Sequence, residues 1–237
     1  MLDSIAHALS YPFPAPDHSF VYEKRGWRRL QISEFNLKQR IPVLAAGSNQ
    51  SPEQLIRKYA DYPDFGAIPA QRGKLFDFDV VYAAHLTGYG SIPATFQRSQ
   101  GTIVTVFLLW LTERQLTRMH ETEGNYTYDR LQNLKLILDE GGKFSESAYA
   151  YSAKYGCYNH KGSCVSLKEI VAKKRKFPAL TQSRALEIVR DQLIPGAKLE
   201  NFVEQLIFKP TKRLKFAEKM RKGAIEAKYE RKTILVL

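Results

Sequence analysis

The sequence is poor in cysteine, and this limits the kinds of site that it can build. Cys157 and Cys164 are the only cysteines in 237 residues. Two cysteines cannot form the set of disulfides that holds small secreted domains together. No paired His or Cys cluster accompanies them, which argues against a zinc site. We therefore expect buried structural thiols and a reducing compartment, the cytoplasm.

Long apolar segments and a targeting signal are also missing. The longest apolar stretch, residues 103–111, is interrupted by Thr105 and is far shorter than the roughly 20 residues that span a bilayer. The N-terminal segment MLDSIAHALSYPFP has no basic start and no sustained apolar core, so it does not have the pattern of a signal peptide. We expect no membrane association.

Acidic residues are scarce in the last third of the chain. The net charge is +12, and residues 161–237 hold 19 Lys and Arg against 8 Asp and Glu. Because few aromatic residues interrupt these basic runs, they would hold nucleic acid mainly through its phosphates. Alternatively, the charges form the solvated face of helices that pack through Phe216, Met220 and Ile225. A weak nucleic-acid or other acidic partner at these helices remains open.

The patterning divides the chain into three segments. Residues 1–40 form an N-terminal extension with the Pro-rich stretch SYPFPAPDHSF and a hairpin around Arg25-Gly26. Residues 41–165 form the main domain, in which strands dominate from 70 to 155. Residues 166–237 form a basic helical C-terminal extension packing on that domain, with a long helix over 211–232. We predict an α+β fold with a curled, mostly antiparallel sheet or small barrel.

Two strands stand out within the main domain. KLFDFDVVYAA alternates, with Phe76 and Phe78 on one face and Asp77 and Asp79 on the other, which is typical of a half-buried strand. GTIVTVFLLWLT is apolar on both faces, which predicts a central strand.

A strand-to-helix connection lies earlier in the domain. The apolar run IPVLAA ends at Gly47-Ser48-Asn49, and a helix then begins, with Ser51 suited to its cap and Pro52 to its first turn. Loops of this kind expose backbone N–H groups that can hold a carboxylate or an oxyanion. Taken alone, the tripeptide is a weak signal, because a simple turn is the commoner explanation of such a sequence.

Glu123 is the most informative acidic residue. A helix is predicted over residues 113–123, with a capping box formed by Thr112 and Gln115. Glu123 lies seven residues after Leu116 and therefore shares the inward face. Partial burial and the negative end of the helix dipole both favour a neutral carboxyl group, which suits general-base work. Alternatively, Glu123 lies at a frayed helix end and points into water.

Together these elements resemble the gamma-glutamylcyclotransferase-like family. The resemblance rests on AAGSN at the end of a strand, and on ETEGNYTYDR, in which Glu123-Gly124 is followed by Tyr128 and Arg130. The stretch YGSIPATFQRSQGTIVTVFL before the central strand is also similar. The resemblance covers about residues 41–155, roughly half of the chain.

The resemblance implies a mixed β-barrel with surrounding helices and a binding pocket for a gamma-glutamyl group. In this family the α-amino group of the substrate attacks its own γ-carbonyl, which leaves 5-oxoproline and a free amine. The general base would be Glu123, and the substrate-binding residues would be Ala46, Gly47, Ser48, Asn49, Tyr128 and Tyr151. No metal or cofactor is required.

Ala46 is a departure from the family pattern, which has Tyr before Gly-Ser. Alanine keeps the backbone donors but removes an aromatic wall and a hydroxyl group. Two functions follow from this. The first is a cyclotransferase with Glu123 as general base. The alternative is a catalytically silent binding module whose basic C-terminal helices engage an acidic partner such as RNA. The sequence does not predict an oligomeric state.

Overall fold

The protein has a mixed α+β architecture with a large sheet, seen in a computed structural model that describes residues 2–24, 26–144 and 147–237. The helices are α1 (Leu2–Leu9), α2 (Pro52–Tyr59), α3 (Glu113–His120), α4 (Gln182–Leu193), α5 (Leu199–Phe208) and α6 (Pro210–Arg221). In these described ranges, no helix is both long and apolar enough to cross a membrane.

The strands all belong to one sheet. They are β1 (Phe20–Glu23), β2 (Gly26–Arg29), β3 (Ile41–Ala45), β4 (Ile68–Tyr82), β5 (Ala94–Leu111), β6 (Tyr126–Leu131), β7 (Leu136–Leu138), β8 (Lys143–Phe144), β9 (Ala148–Ala153), β10 (Ser166–Leu167), β11 (Ala172–Lys173), β12 (Ala179–Leu180) and β13 (Arg231–Val236). The main path runs β12-β10-β4-β5-β3-β9-β6-β13. Because this path ends at two different strands, the sheet does not close in the described part of the chain, and the predicted barrel is not confirmed.

The long strands β4 and β5 form the centre of the sheet and pair antiparallel, with β3 on the other side of β5. Residues of β5 alternate between two separate cores: Val106 and Leu108 face one, and Phe107 and Leu109 face the other. The prediction of a central strand with two apolar faces is therefore confirmed. In β4 the register shifts between Phe76 and Phe78. The alternation predicted from the sequence is therefore broken at this point.

Helices cover both faces of the sheet. The first core joins the sheet to α1, α4, α5 and α6, and contains Ala8, Leu186, Phe202 and Phe216. The second core joins it to α2 and α3 through Leu55, Tyr59, Leu116 and Met119. This division places the ends of α2 and α3 next to each other on one side of β3 and β5, since Nζ of Lys58 lies 3.2 Å from the sulfur of Met119.

The segment before residue 40 contributes to the sheet. The predicted hairpin is present, since β1 pairs with β2 from Phe20–Arg29 to Glu23–Gly26, although Arg25 at its turn lies outside the described residues. β1 also pairs with β4. The chain begins as α1, an element that was not expected. The segment boundaries at residues 40 and 165 stay predictions.

The helix predicted over residues 211–232 is wrong in its second half. α6 ends at Arg221, and Gly223 follows in a turn, where a helix commonly stops. Ile225 then exchanges backbone hydrogen bonds with Cys157, the N–H of each to the carbonyl of the other. The chain returns as β13, which pairs with β6. Arg231 and Lys232, which the sequence pattern predicted to be helical, therefore belong to the largely exposed strand β13.

Candidate active site

The site begins where β3 ends. Gly47 follows Ala46, residues Ser48–Gln50 make one 3₁₀ turn, and α2 starts at Pro52. Ser51 lies at the cap position, but its side chain makes no capping hydrogen bond. The backbone N–H groups of Ala46, Gly47 and Asn49 have no acceptor among the described residues. They are available to an acceptor from outside the chain.

Gly47 is required by space rather than by its backbone angles. Its φ of −100° is ordinary for any residue. A Cβ atom at this position, however, would lie 2.6 Å from the hydroxyl oxygen of Tyr11 and 3.1 Å from the Cβ atom of Ala94. The glycine therefore lets the loop approach a tyrosine from the N-terminal segment.

Glu123 lies in the turn just beyond α3, and its backbone N–H donates a hydrogen bond to the carbonyl of His120. Burial was predicted and is observed, since Glu123 is 9% exposed. Its Oε1 atom accepts a hydrogen bond of 2.6 Å from Lys58 Nζ and one of 3.0 Å from Asn49 Nδ2. Its Oε2 atom accepts none from the described residues. One carboxylate oxygen is therefore anchored and the other is free.

The anchored carboxylate lines a cavity of about 50 Å³. The other predicted residues in its wall are Ala46, Gly47, Ser48, Asn49 and Tyr151. Residues that sequence reasoning did not select complete the wall: Tyr11, Leu44, Ala45, Val80, Ala94, Thr95, Phe96 and Tyr126. The fold therefore brings the loop and the acid together across 74 residues of chain.

A second cavity of about 170 Å³ adjoins the first. The two have Tyr11, Ser48, Glu123 and Tyr126 in common, and the second is also lined by Lys58, His85 and Tyr89, among others. Glu123 thus lies in the wall of both the narrow and the wide cavity.

The two predicted tyrosines differ in position. Tyr151 lines the narrow cavity, and its hydroxyl is 2.9 Å from Nδ1 of His120. Tyr128 is not among the described residues that line either cavity. Its ring stacks on Tyr149 with 4.9 Å between centroids. Tyr128 is therefore positioned to pack the second core rather than to touch a ligand.

Lys58 and Tyr11 were missed by sequence reasoning. Lys58 is 5% exposed and lies three residues after Leu55 on α2, so its helical position already placed it beside the buried face. Tyr11 lies in the Pro-rich stretch and is 2% exposed. No periodic pattern marks it, because the segment around it is irregular.

Burial controls the ionisation of the neutral groups around the carboxylate. It raises the pKa values of Tyr11, Tyr126 and Tyr151 well above the ordinary tyrosine value, so that these hydroxyl groups keep their protons. Burial also lowers the pKa of His85 to about 3, so this ring is neutral at physiological pH. Lys58 and Glu123 are then a charge pair among uncharged donors and acceptors.

Comparison with known proteins finds similar chains only among solved structures, and these at low similarity. No protein-family model matches the chain, and no curated protein matches it. Among solved structures, the chain is similar to a gamma-glutamyl cyclotransferase at 15% identity and a TM-score of 0.36, over 82% of this chain and 93% of the other. It is also similar to a Homo sapiens protein described as uncharacterized protein loc79017, at 15% identity and a TM-score of 0.38, over 82% and 94%.

The first of these structures bears the name of the family that the sequence motifs resemble. Likeness at this level does not determine activity, which depends on the side chains that line the site.

Proposed function

We propose that the protein is an enzyme that cyclises a gamma-glutamyl compound to 5-oxoproline and releases a free amine. The observation that carries the proposal is the state of Glu123. Lys58 and Asn49 hold its Oε1 atom, while its Oε2 atom has no donor among the described residues and the side chain lines two adjoining cavities. A carboxylate held in this way can take up a proton from a bound ligand.

The proposed reaction uses this arrangement. Glu123 removes a proton from the α-ammonium group of the substrate, and the freed nitrogen attacks the γ-carbonyl carbon. The bond between that carbon and the leaving nitrogen breaks as Glu123 passes its proton to the departing amine. The attacking nitrogen loses a second proton as it becomes the lactam N–H, and this proton leaves with the amine as an ammonium ion. Because the attacking and attacked atoms belong to one molecule, the main task of the protein is to hold them in a reactive geometry.

The loop residues are suited to the oxygens of such a substrate. The unpaired N–H groups of Ala46, Gly47 and Asn49 can donate to its α-carboxylate and to the oxyanion that develops on the γ-carbonyl. The glutamyl part would bind next to these donors. The leaving amine would extend into the wider cavity beside His85 and Tyr89.

The test is release of 5-oxoproline from a panel of gamma-glutamyl amino acids, gamma-glutamyl amines and glutathione. We expect wild type to turn over at least one member and Glu123→Gln to lose about 10²- to 10⁴-fold in rate, which is the usual contribution of a general base. Glu121→Gln is the matched control, because Glu121 is a half-exposed acid two residues away that pairs with Arg118. Its rate should be unchanged.

Absence of release from every panel member by folded wild-type protein would contradict the proposal. So would equal rates in wild type and Glu123→Gln. The alternative, a silent binding module whose basic C-terminal helices engage an acidic partner, stays a prediction and would then be the one to pursue.

A further inference from the structure

Tyr11 is the residue at the cavity whose role the proposed chemistry leaves open. It comes from the irregular segment after α1, yet it is 2% exposed and lies in the wall of both cavities. Its hydroxyl oxygen accepts a hydrogen bond of 2.8 Å from the backbone N–H of Ala94. It also lies against Gly47, where no side chain other than hydrogen fits.

Within the part of the chain that the structure describes, no acceptor is found for the proton of this hydroxyl. A tyrosine hydroxyl donates one hydrogen bond and can accept others. Among the described residues, Tyr11 receives the N–H of Ala94 but donates to no carbonyl, carboxylate or hydroxyl oxygen. Donation from Ala94 polarises the hydroxyl group and makes it a stronger donor. Burial raises the pKa of Tyr11 far above its ordinary value, so the proton is retained and available.

The surrounding structure holds the ring in place. The carbonyl of Ala8 accepts a 2.7 Å hydrogen bond from Ser91 Oγ, which ties the end of α1 to the loop before β5. Beyond Tyr11, the ring of Phe13 stacks on His7 with 4.4 Å between centroids. His7 is in turn 2.6 Å from the guanidinium of Arg57 on α2. These contacts fix Tyr11 from both sides, so its hydroxyl is positioned before any ligand binds.

We infer that Tyr11 is a substrate-binding residue, whose hydroxyl group donates a hydrogen bond to an anionic oxygen of the gamma-glutamyl ligand in the cavity. This inference rests on the proposed function and names a contact within the same site. The oxygen is the α-carboxylate of the bound substrate or the oxyanion that forms from its γ-carbonyl. With Ala at position 46, the phenol at this site comes from the N-terminal segment.

The test compares Tyr11→Phe with wild type in 5-oxoproline release and in 5-oxoproline binding by titration calorimetry. Phenylalanine keeps the ring and its packing, so the variant should fold, which thermal unfolding checks. Loss of a hydrogen bond to a charged oxygen predicts a fall in kcat/KM of roughly 10- to 100-fold. Tyr158→Phe is the matched control. Tyr158 is buried and donates a hydrogen bond of 2.8 Å to Gln192 Oε1, and it lines neither cavity. It should leave turnover within twofold of wild type.

The kinetic constants identify the oxygen. A higher KM with unchanged kcat indicates a contact with the α-carboxylate, and a lower kcat with unchanged KM indicates a contact with the oxyanion. If wild type turns over a substrate, and Tyr11→Phe does so at a rate within twofold with unchanged 5-oxoproline binding, the inference is overturned. The cyclotransferase proposal would then still stand. A wild type that neither turns over the panel nor binds 5-oxoproline overturns both.

Discussion

Two buried acids in this protein, Asp129 and Glu123, differ in how their oxygens are used. Asp129 on β6 is fully buried, and its Oδ1 atom accepts a 2.8 Å hydrogen bond from Thr233 on β13. Its Oδ2 atom accepts one of 3.0 Å from Thr127 and lies 3.2 Å from Arg231. Both oxygens of Asp129 are therefore occupied, while Glu123 keeps one oxygen free at a cavity.

The comparison separates a structural carboxylate from one that is available for chemistry. Burial alone does not distinguish them, since both side chains are largely removed from water. Asp129 joins the edge strand β13 to β6 and has no cavity beside it among those described. Buried polar groups are normally satisfied, so an unsatisfied oxygen at a cavity indicates a position where a ligand completes the hydrogen bonding.

Asp129→Asn should give the largest change in stability. A neutral amide cannot form an ion pair with Arg231. Its NH₂ group would also replace one of the two carboxylate oxygens that accept hydrogen bonds from Thr127 and Thr233. Breaking a buried pair on one side predicts a loss of roughly 3 kcal/mol in the free energy of unfolding. Urea denaturation measures this loss. Activity per folded molecule should stay within twofold of wild type, and a larger fall would mean that Asp129 also serves the site.

Lys58→Met should affect both stability and activity. The variant removes the cation from Glu123 and leaves an apolar chain beside Met119, where Lys58 Nζ now lies 3.2 Å from the sulfur. Losing a charge-assisted hydrogen bond predicts about 2 kcal/mol of destabilisation in urea. Without Lys58 Nζ, the Oε1 atom of Glu123 keeps only the hydrogen bond from Asn49. The carboxylate is then held less firmly, and the rate of 5-oxoproline release should fall.

Lys58→Arg is the control for this variant, because it keeps the charge. It should retain more of the wild-type rate of 5-oxoproline release than Lys58→Met does. Equal rates for wild type and Lys58→Met would show that Lys58 does not act on the carboxylate.

An effect that depends on pH is expected from His85, whose Nδ1 atom has no hydrogen-bond partner among the described residues. Burial lowers its pKa from 6.5 to about 3. Between these values the unfolded chain binds a proton that the folded protein rejects, so stability falls as pH drops below 6.5. Between pH 6.5 and about 3, the free energy of unfolding falls by about 1.4 kcal/mol for each pH unit.

His85→Gln should reduce the slope of unfolding free energy against pH in that window by up to this amount. Urea denaturation at a series of pH values measures it, with wild type in parallel. Equal slopes in the two proteins would show that the folded protein protonates His85 as readily as the unfolded chain does.

Much of the fold near the site was predictable from short segments. The capping box of Thr112 and Gln115 forms as expected, α2 begins at Pro52, and β5 is central. The inward direction of Glu123 was also predicted, although α3 ends three residues before it and the dipole argument does not apply there. Asp79 was placed on the polar face of β4, yet it is fully buried and accepts a 2.6 Å hydrogen bond from Ser166 Oγ.

The sequence by itself determined the elements whose signals lie within a few residues of one another: the strand and loop up to Asn49, the cap of α3 and the apolar stripes of the helices. Only the tertiary structure decided which distant residues meet at the site. Lys58 reaches Glu123 from 65 residues away, and Tyr11 reaches Ala94 from 83 residues away. Propensity and periodicity depend on neighbours in the chain, whereas these contacts depend on how the sheet and its two helical layers pack together.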